Sequence, residues 1–217
     1  MTFWTSFLPT RKAVGPRPLA VEHLRVQVFR ASCVAMRAVH CRAFAVRPLT
    51  DRLVEALVED HADYERVLRW DVVRAFGKSE DELFAIARTQ AAATADDITT
   101  MELGGGVQVL ASNGRYLSAG MLERFARDKH PRGVLFAPIS SHHWCIHIVQ
   151  AITVPPTVAL MGIVVDDVKR QMRVGDSEAL TGDLYWYKPG GEIEKLELVG
   201  EGTARRASSP ELATAIA

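Results

Sequence analysis

Gly133-Val134-Leu135-Phe136-Ala137-Pro138-Ile139, then Ser140-Ser141-His142-His143, then Trp144-Cys145-Ile146-His147-Ile148-Val149, is the stretch from which the fold is read. Two apolar runs of strand length flank a short polar segment, which predicts an antiparallel hairpin with Ser140 to His143 at its turn. The same stretch holds three of the seven histidines and one of the three cysteines. Side chains alternate along a strand. His143, Cys145 and His147 therefore share one face, and His142, Trp144, Ile146 and Ile148 share the other.

The neighbouring segments carry the same kind of signal. Asp97–Leu103 and Val107–Ala111 alternate with period two on either side of Gly104-Gly105-Gly106, which predicts a second hairpin. Three glycines could also expose amides to a phosphate, but no helix, Lys or Ser/Thr follows in P-loop order, so the turn is preferred. Asn113-Gly114 marks a turn, and Leu117, Met121, Leu122 and Phe125 fall on one helical face that ends near Lys129-His130, before Pro131. Downstream, Val158, Met161, Val165, Val168 and Met172 predict a helix from about 156 to 173. Leu184–Leu198 reads as a third hairpin, turning at Pro189-Gly190-Gly191.

Upstream, Ser79-Glu80-Asp81-Glu82 is a capping box that opens a helix through Leu83, Phe84, Ile86, Ala87 and Ala91. Asp71–Gly77 reads as a short helix, with Asp71 as its cap and Gly77 as its left-handed close. Arg25–Arg30 and Arg42–Arg47 read as strands, the last ended by Pro48; Leu53–Asp60 suits a helical turn or two or a strand with an acidic end, with the strand preferred, and Ser32–His40 suits either helix or strand. Strands and helices do not alternate regularly. The expectation is an α+β fold: an antiparallel or mixed sheet built from hairpins, with helices packed on it. Residues 1–20, with Pro9, Pro16 and Pro18, read as an irregular leader and 21–200 as a single domain, in which 21–46 is either the first strands or a separate small layer. Residues 201–217, small and polar, read as a disordered tail.

Composition narrows the function. Of 217 residues, 48% are hydrophobic, enough for a real core, and 26 basic side chains balance 26 acidic ones. A net charge of zero gives no whole-molecule attraction for nucleic acid or an acidic membrane. The cysteines, Cys33, Cys41 and Cys145, are odd in number and form no C-x-x-C pair, which fits a reducing compartment. The N-terminus breaks at Pro9 without the charged start of a signal peptide. The longest apolar run, Val158–Val165, is far below the ~20 residues of a membrane span. These features predict a cytoplasmic protein with no nucleic-acid and no membrane partner.

Several of these segments recur in a recognisable order: Arg47-Pro48-Leu49, Val58-Glu59-Asp60, Ser79-Glu80-Asp81-Glu82-Leu83, Asn113-Gly114-Arg115-Tyr116, Pro131-Arg132-Gly133 leading into Val134–Ser140, and Leu184-Tyr185-Trp186-Tyr187 with its Gly-Gly turn. Over about residues 47–198 this order resembles the YtpQ-like family of uncharacterised bacterial proteins. The resemblance implies a cytoplasmic α+β domain and carries over no reaction and no catalytic residue. Where that family places a Pro-Ser-Arg-Asp-like turn, this chain has Pro138-Ile139-Ser140-Ser141-His142-His143.

Three chemistries compete for the central stretch. Residues two apart on a strand lie ~6–7 Å apart, so two of His143, Cys145 and His147 could hold one zinc, whereas all three would need a bulge. His40-Cys41 or His61 are the candidates to complete such a set. Alternatively, Cys145 is a nucleophile activated by His143. Trp186, between Tyr185 and Tyr187, is a candidate stacking platform, and His142 and His143 are candidate ligand contacts at the turn. A structural reading, with a polar turn and a packed cysteine, accounts for the same residues and is preferred. No catalytic set is complete, so the sequence predicts a non-catalytic binding or interaction module that docks a protein partner or small ligand on its sheet, without a cofactor. The alternative is a metal-dependent or cysteine-based hydrolase centred on His143, Cys145 and His147.

Overall fold

The structure, a computed structural model, describes residues 20–31, 43–61, 64–94, 97–114, 116–150, 154–171, 180–200 and 206–216. Four strands come first: β1 (Leu24–Arg30), β2 (Val46–Pro48), β3 (Leu53–His61) and β4 (Tyr64–Val67). Helices α1 (Trp70–Val73) and α2 (Glu80–Ala93) follow, then the hairpin β5 (Ile98–Gly104) and β6 (Val107–Ser112) and helix α3 (Leu117–Asp128). The central hairpin is β7 (Val134–Pro138) and β8 (His143–Ile148), followed by helix α4 (Val154–Gln171). The chain closes with β9 (Leu184–Tyr187), β10 (Ile193–Leu196), β11 (Leu198–Val199), β12 (Arg206–Ala207) and α5 (Pro210–Ile216).

These elements make an α+β fold with antiparallel sheets. The larger sheet runs β10-β9-β7-β8-β6-β5. The smaller is centred on β3, which pairs with β1, β2 and β4. All five residues of β7 are buried, because the strand lies inside the larger sheet and both of its faces are covered. On one face Val107, Leu135, Cys145, Trp186 and Leu196 pack beneath Val158, Met161 and Val165 of α4, together with Leu212 of α5. On the other, Leu110, Phe136, Trp144 and Ile146 pack with Leu117, Met121 and Phe125 of α3. Val28 and Leu53 from the smaller sheet join that second cluster. Phe136 and Trp144 stack at 5.0 Å, and the Trp144 indole donates to Ser118 Oγ at 3.0 Å, so its one polar atom is satisfied in the core.

Local chemistry fixes the element ends. Both halves of the capping box form: Ser79 Oγ accepts from the Glu82 amide, and the Glu82 carboxylate accepts from the Ser79 amide at 2.9 Å. Gly104, Gly105 and Gly106 all take positive φ, with a register shift between Glu102 and Gly104, so the three glycines build a bulged hairpin turn.

The structure departs from the sequence reading at three places. The strand expected over Arg42–Arg47 is β2, Val46–Pro48, preceded by a lone bridge from Phe44 to Arg69. Pro48 is its last residue rather than its stop, as suits a strand that among the described residues pairs with β3 alone. Asp71 does not cap α1: the helix begins at Trp70 after Arg69, and Asp71 accepts instead from the Val72 amide and the Arg69 guanidinium. The tail expected to be disordered contains β12 and α5. Among the described residues of this tail Leu212 is the deeply buried apolar anchor, Ser209 Oγ accepts from the Leu212 amide, and Lys188 Nζ reaches Glu211 at 2.6 Å. One leucine and one isoleucine among small and polar residues are too weak a compositional signal to reveal this. Residues 1–19, Cys33, His40 and Cys41 lie outside the described residues.

Candidate functional site

Alternation along β8 places Cys145 and His147 on the face beneath α4, with Trp144 and Ile146 on the other. Cys145 is fully buried among aliphatic side chains, and burial pushes its thiol up to about 12. Such a thiol stays protonated at neutral pH, the opposite of what a nucleophile or metal ligand requires. The histidines engage separate partners. His143 is exposed, with Nδ1 3.2 Å from Ser140 Oγ. That hydroxyl also accepts from the amides of His142 and His143 at 3.1 and 3.0 Å, which fills its two acceptor sites and directs its proton to the His143 ring. His142 Nδ1 lies 3.1 Å from the Ser112 carbonyl, and the Ser112 amide donates to the His142 carbonyl, tying the turn to the end of β6.

His147 is 2% exposed, and its Nδ1 donates to the Gly106 carbonyl at 3.1 Å in the β5–β6 turn. Burial holds its imidazole below the ordinary histidine range, with the Gly106 bond offsetting part of that effect. Its neighbour in that turn is backbone, and a Cβ at Gly106 would lie 3.3 Å from the ring. Trp186 is buried, with its indole nitrogen donating to the Arg132 carbonyl at 3.1 Å and the Lys188 ammonium 5.6 Å from its ring centre. Its faces lie within the protein, so it is not an open stacking platform.

His61, the other candidate donor, contacts Glu59 Oε1 through Nε2 at 2.9 Å and packs on His23 at 4.1 Å between ring centres. Among the described residues, no group of three or more His, Cys, Asp or Glu side chains is placed to hold a metal ion.

Two features escaped the sequence reading. The first is a pair of buried carboxylates on β3. Glu55 accepts from Arg47 and, through both oxygens, from Arg88; Glu59 is held by Arg66 and His61. Arg47 and Arg66 stand directly across from them on β2 and β4. The signal in the sequence is a glutamate at every fourth place of an apolar strand with arginines in its neighbours, a pattern that points to structural ion pairs.

The second is the outer edge of β5. Six of its seven residues are exposed, Met101 and Leu103 at 56% and 36%, with Leu103 at the register shift between Glu102 and Gly104. Met101 stands opposite Val109, which packs against the cluster beneath α4. The β5–β6 turn approaches the start of that helix, where a Cβ at Gly105 would lie 3.9 Å from Thr157 Oγ1.

Comparison of the chain with protein families, curated proteins and solved structures finds no match. No helix among the described residues is long and apolar enough to cross a membrane.

Proposed function

We propose that this chain is a non-catalytic binding module and that the outer edge of β5 is where it docks an extended segment of a protein partner. One observation carries the reading: β5 ends the six-stranded sheet with Met101 and Leu103 exposed beside a backbone edge that pairs with no other strand among the described residues. Sheet edges are normally blunted by lysine, proline or charge, because every second residue turns an N–H and a C=O outward. The opposite edge, β10, is blunted in this way by Glu194 and Lys195, with Glu192 and Glu197 just beyond its ends. β5 has no proline, no lysine and one carboxylate. Main-chain pairing along such an edge supplies affinity, and side chains pointing alternately up and down supply selectivity. The buried Cys145 thiol and the separately bonded histidines weigh against the hydrolase alternative.

The test is a random-peptide display selection on the full chain, counter-selected against the Met101→Lys/Leu103→Lys variant. Peptides that survive and shift the amide resonances of residues 98–104 support the reading. Enriched peptides that map elsewhere, or no enrichment, would sink it.

A further inference from the structure

We infer that the segment docking on β5 is an extended strand in which a basic residue set across from Glu102 adjoins an apolar one set across from Met101. This rests on the reading of β5 as a docking edge and adds the chemistry of the occupant. The whole chain has no net charge, but Asp97 to Gly114, the β5–β6 hairpin with its flanks, carries two carboxylates, Asp97 and Glu102, and no Lys or Arg. Both are exposed. Glu102 accepts from the Gln108 side-chain amide at 3.1 Å, a contact that orients the carboxylate without cancelling its charge.

Side chains directly opposite on paired strands point to the same side, so the partner residue facing Glu102 lies on the other side of the sheet from the one facing Met101. The recognition pattern follows: a cation for Glu102, and an aliphatic side chain that extends the apolar strip begun by Val109 and Met101.

A second copy of this chain fits the same edge poorly. Seven residues of strand edge form a strip ~24 Å long and ~10 Å deep, roughly 240 Å², well short of the ~800 Å² per partner typical of stable interfaces. A two-fold centred on Met101 would also set the two Glu102 carboxylates diagonally across from one another, with no cation from β5 or β6 between them. A short peptide avoids the carboxylate repulsion, because it brings its own charge, and a contact of this area suits weak, transient binding rather than a stable dimer.

The experiment uses the full chain and two blocked octapeptides, one alternating valine with lysine and one alternating valine with glutamate, with binding followed by amide chemical shifts and titration. The lysine peptide is expected to bind roughly fivefold more tightly at low ionic strength, with the advantage shrinking as salt is added. Glu102→Lys, an exposed substitution whose unfolding midpoint serves as a folding control, is expected to reverse the order. Equal binding of both peptides at residues 98–104 would overturn the basic pattern while leaving the docking edge standing. No shift at those residues with either peptide would overturn both. A sedimenting dimer that protects β5 amides without added peptide would make a second copy the occupant and overturn the peptide proposal.

Discussion

Gly133 lies against the Trp186 indole so closely that a Cβ at residue 133 would fall 2.6 Å from Nε1, and 2.2 Å from the Tyr187 carbonyl oxygen. Gly133 also takes φ +81°, which side-chain-bearing residues rarely adopt. The two constraints act together at the start of β7, the strand on which β8 and β9 both pair. Gly133→Ala is therefore expected to cost roughly 2–4 kcal/mol, from left-handed backbone strain and overpacking combined. Gly190, in the β9–β10 turn, has nothing within 4 Å of the position its Cβ would take. Gly190→Ala is the matched control, and urea unfolding of the two variants should separate them clearly.

The Cys145 thiol gives a second prediction. Its folded value of about 12 lies above the ordinary 9.0 because burial disfavours the thiolate. A raised folded pKa means that the thiol's contribution to stability is complete below pH 9 and is lost as pH climbs from 9 toward 12. In a Cys33→Ser/Cys41→Ser background, the native protein should resist iodoacetamide at pH 8 and react fully once unfolded in denaturant. Rapid native alkylation would mean that the thiol is reachable and would reopen the nucleophile reading.

At the start of α2, hydrogen bonds from the Ser79 amide and hydroxyl hold the Glu82 carboxyl below its ordinary 4.5. For a depressed carboxylate the stabilisation is present above about pH 4.5 and fades as pH falls through the folded value. Ser79→Ala should cost about 1 kcal/mol as a lost cap. Glu82→Gln should flatten the part of the stability–pH curve just below 4.5. Thermal melts at pH 7, 4.5 and 3.5 test both, and an unchanged acid limb in Glu82→Gln would rule out the reciprocal bond as its source.

How much of this was legible beforehand depended on whether the deciding contacts were local. The β7–β8 hairpin was readable because its apolar runs and polar turn are adjacent in sequence, and the alternation along β8 correctly divides Cys145 from Trp144 and Ile146. What covers each face was not readable, since α4 and α5 reach Cys145 from 9 or more residues away and are indifferent to its chemistry. Nor was the exposure of β5. That follows from β8 inserting between β7 and β6, a matter of strand order that period-two patterning does not contain. Leu212 shows the same limit, because one leucine in a polar tail acquires meaning only when a surface awaits it.

His147 sets up a test in the mildly acid range. Burial lowers its folded pKa below the ordinary 6.5 while the unfolded chain titrates normally, so protons bind preferentially to the unfolded state as pH falls below 6.5. Stability should be flat above that point and decline below it. His147→Gln keeps a donor for the Gly106 carbonyl but cannot take up the proton, and should reduce the slope between pH 6.5 and 5. The His147 ring resonances, followed by NMR, should titrate below those of an ordinary histidine; a midpoint at or above 6.5 would contradict the buried neutral ring.

Glu55 carries the largest electrostatic prediction. Its carboxylate is 1% exposed and accepts three hydrogen bonds, from Arg47 Nε at 2.9 Å and from Arg88 Nε and Nη2 at 2.9 and 2.7 Å. Arg47 also lies 4.0 Å over the Phe84 ring, so the cluster ties β2, β3 and α2 together. Removing the carboxylate takes from Arg88 its bidentate partner and leaves Arg47 with its 3.5 Å contact to the exposed Asp81, and Glu55→Ala should cost about 3–5 kcal/mol. Arg88→Ala leaves the carboxylate still paired with Arg47 and should cost less. The double variant should be more stable than the sum of the two losses implies, by roughly 1–3 kcal/mol, because the second removal deletes a charge already deprived of its partner. Additive losses in that cycle would show that Arg88 and Glu55 are neighbours without being coupled, and would leave Arg47 as the residue that makes the buried carboxylate tolerable.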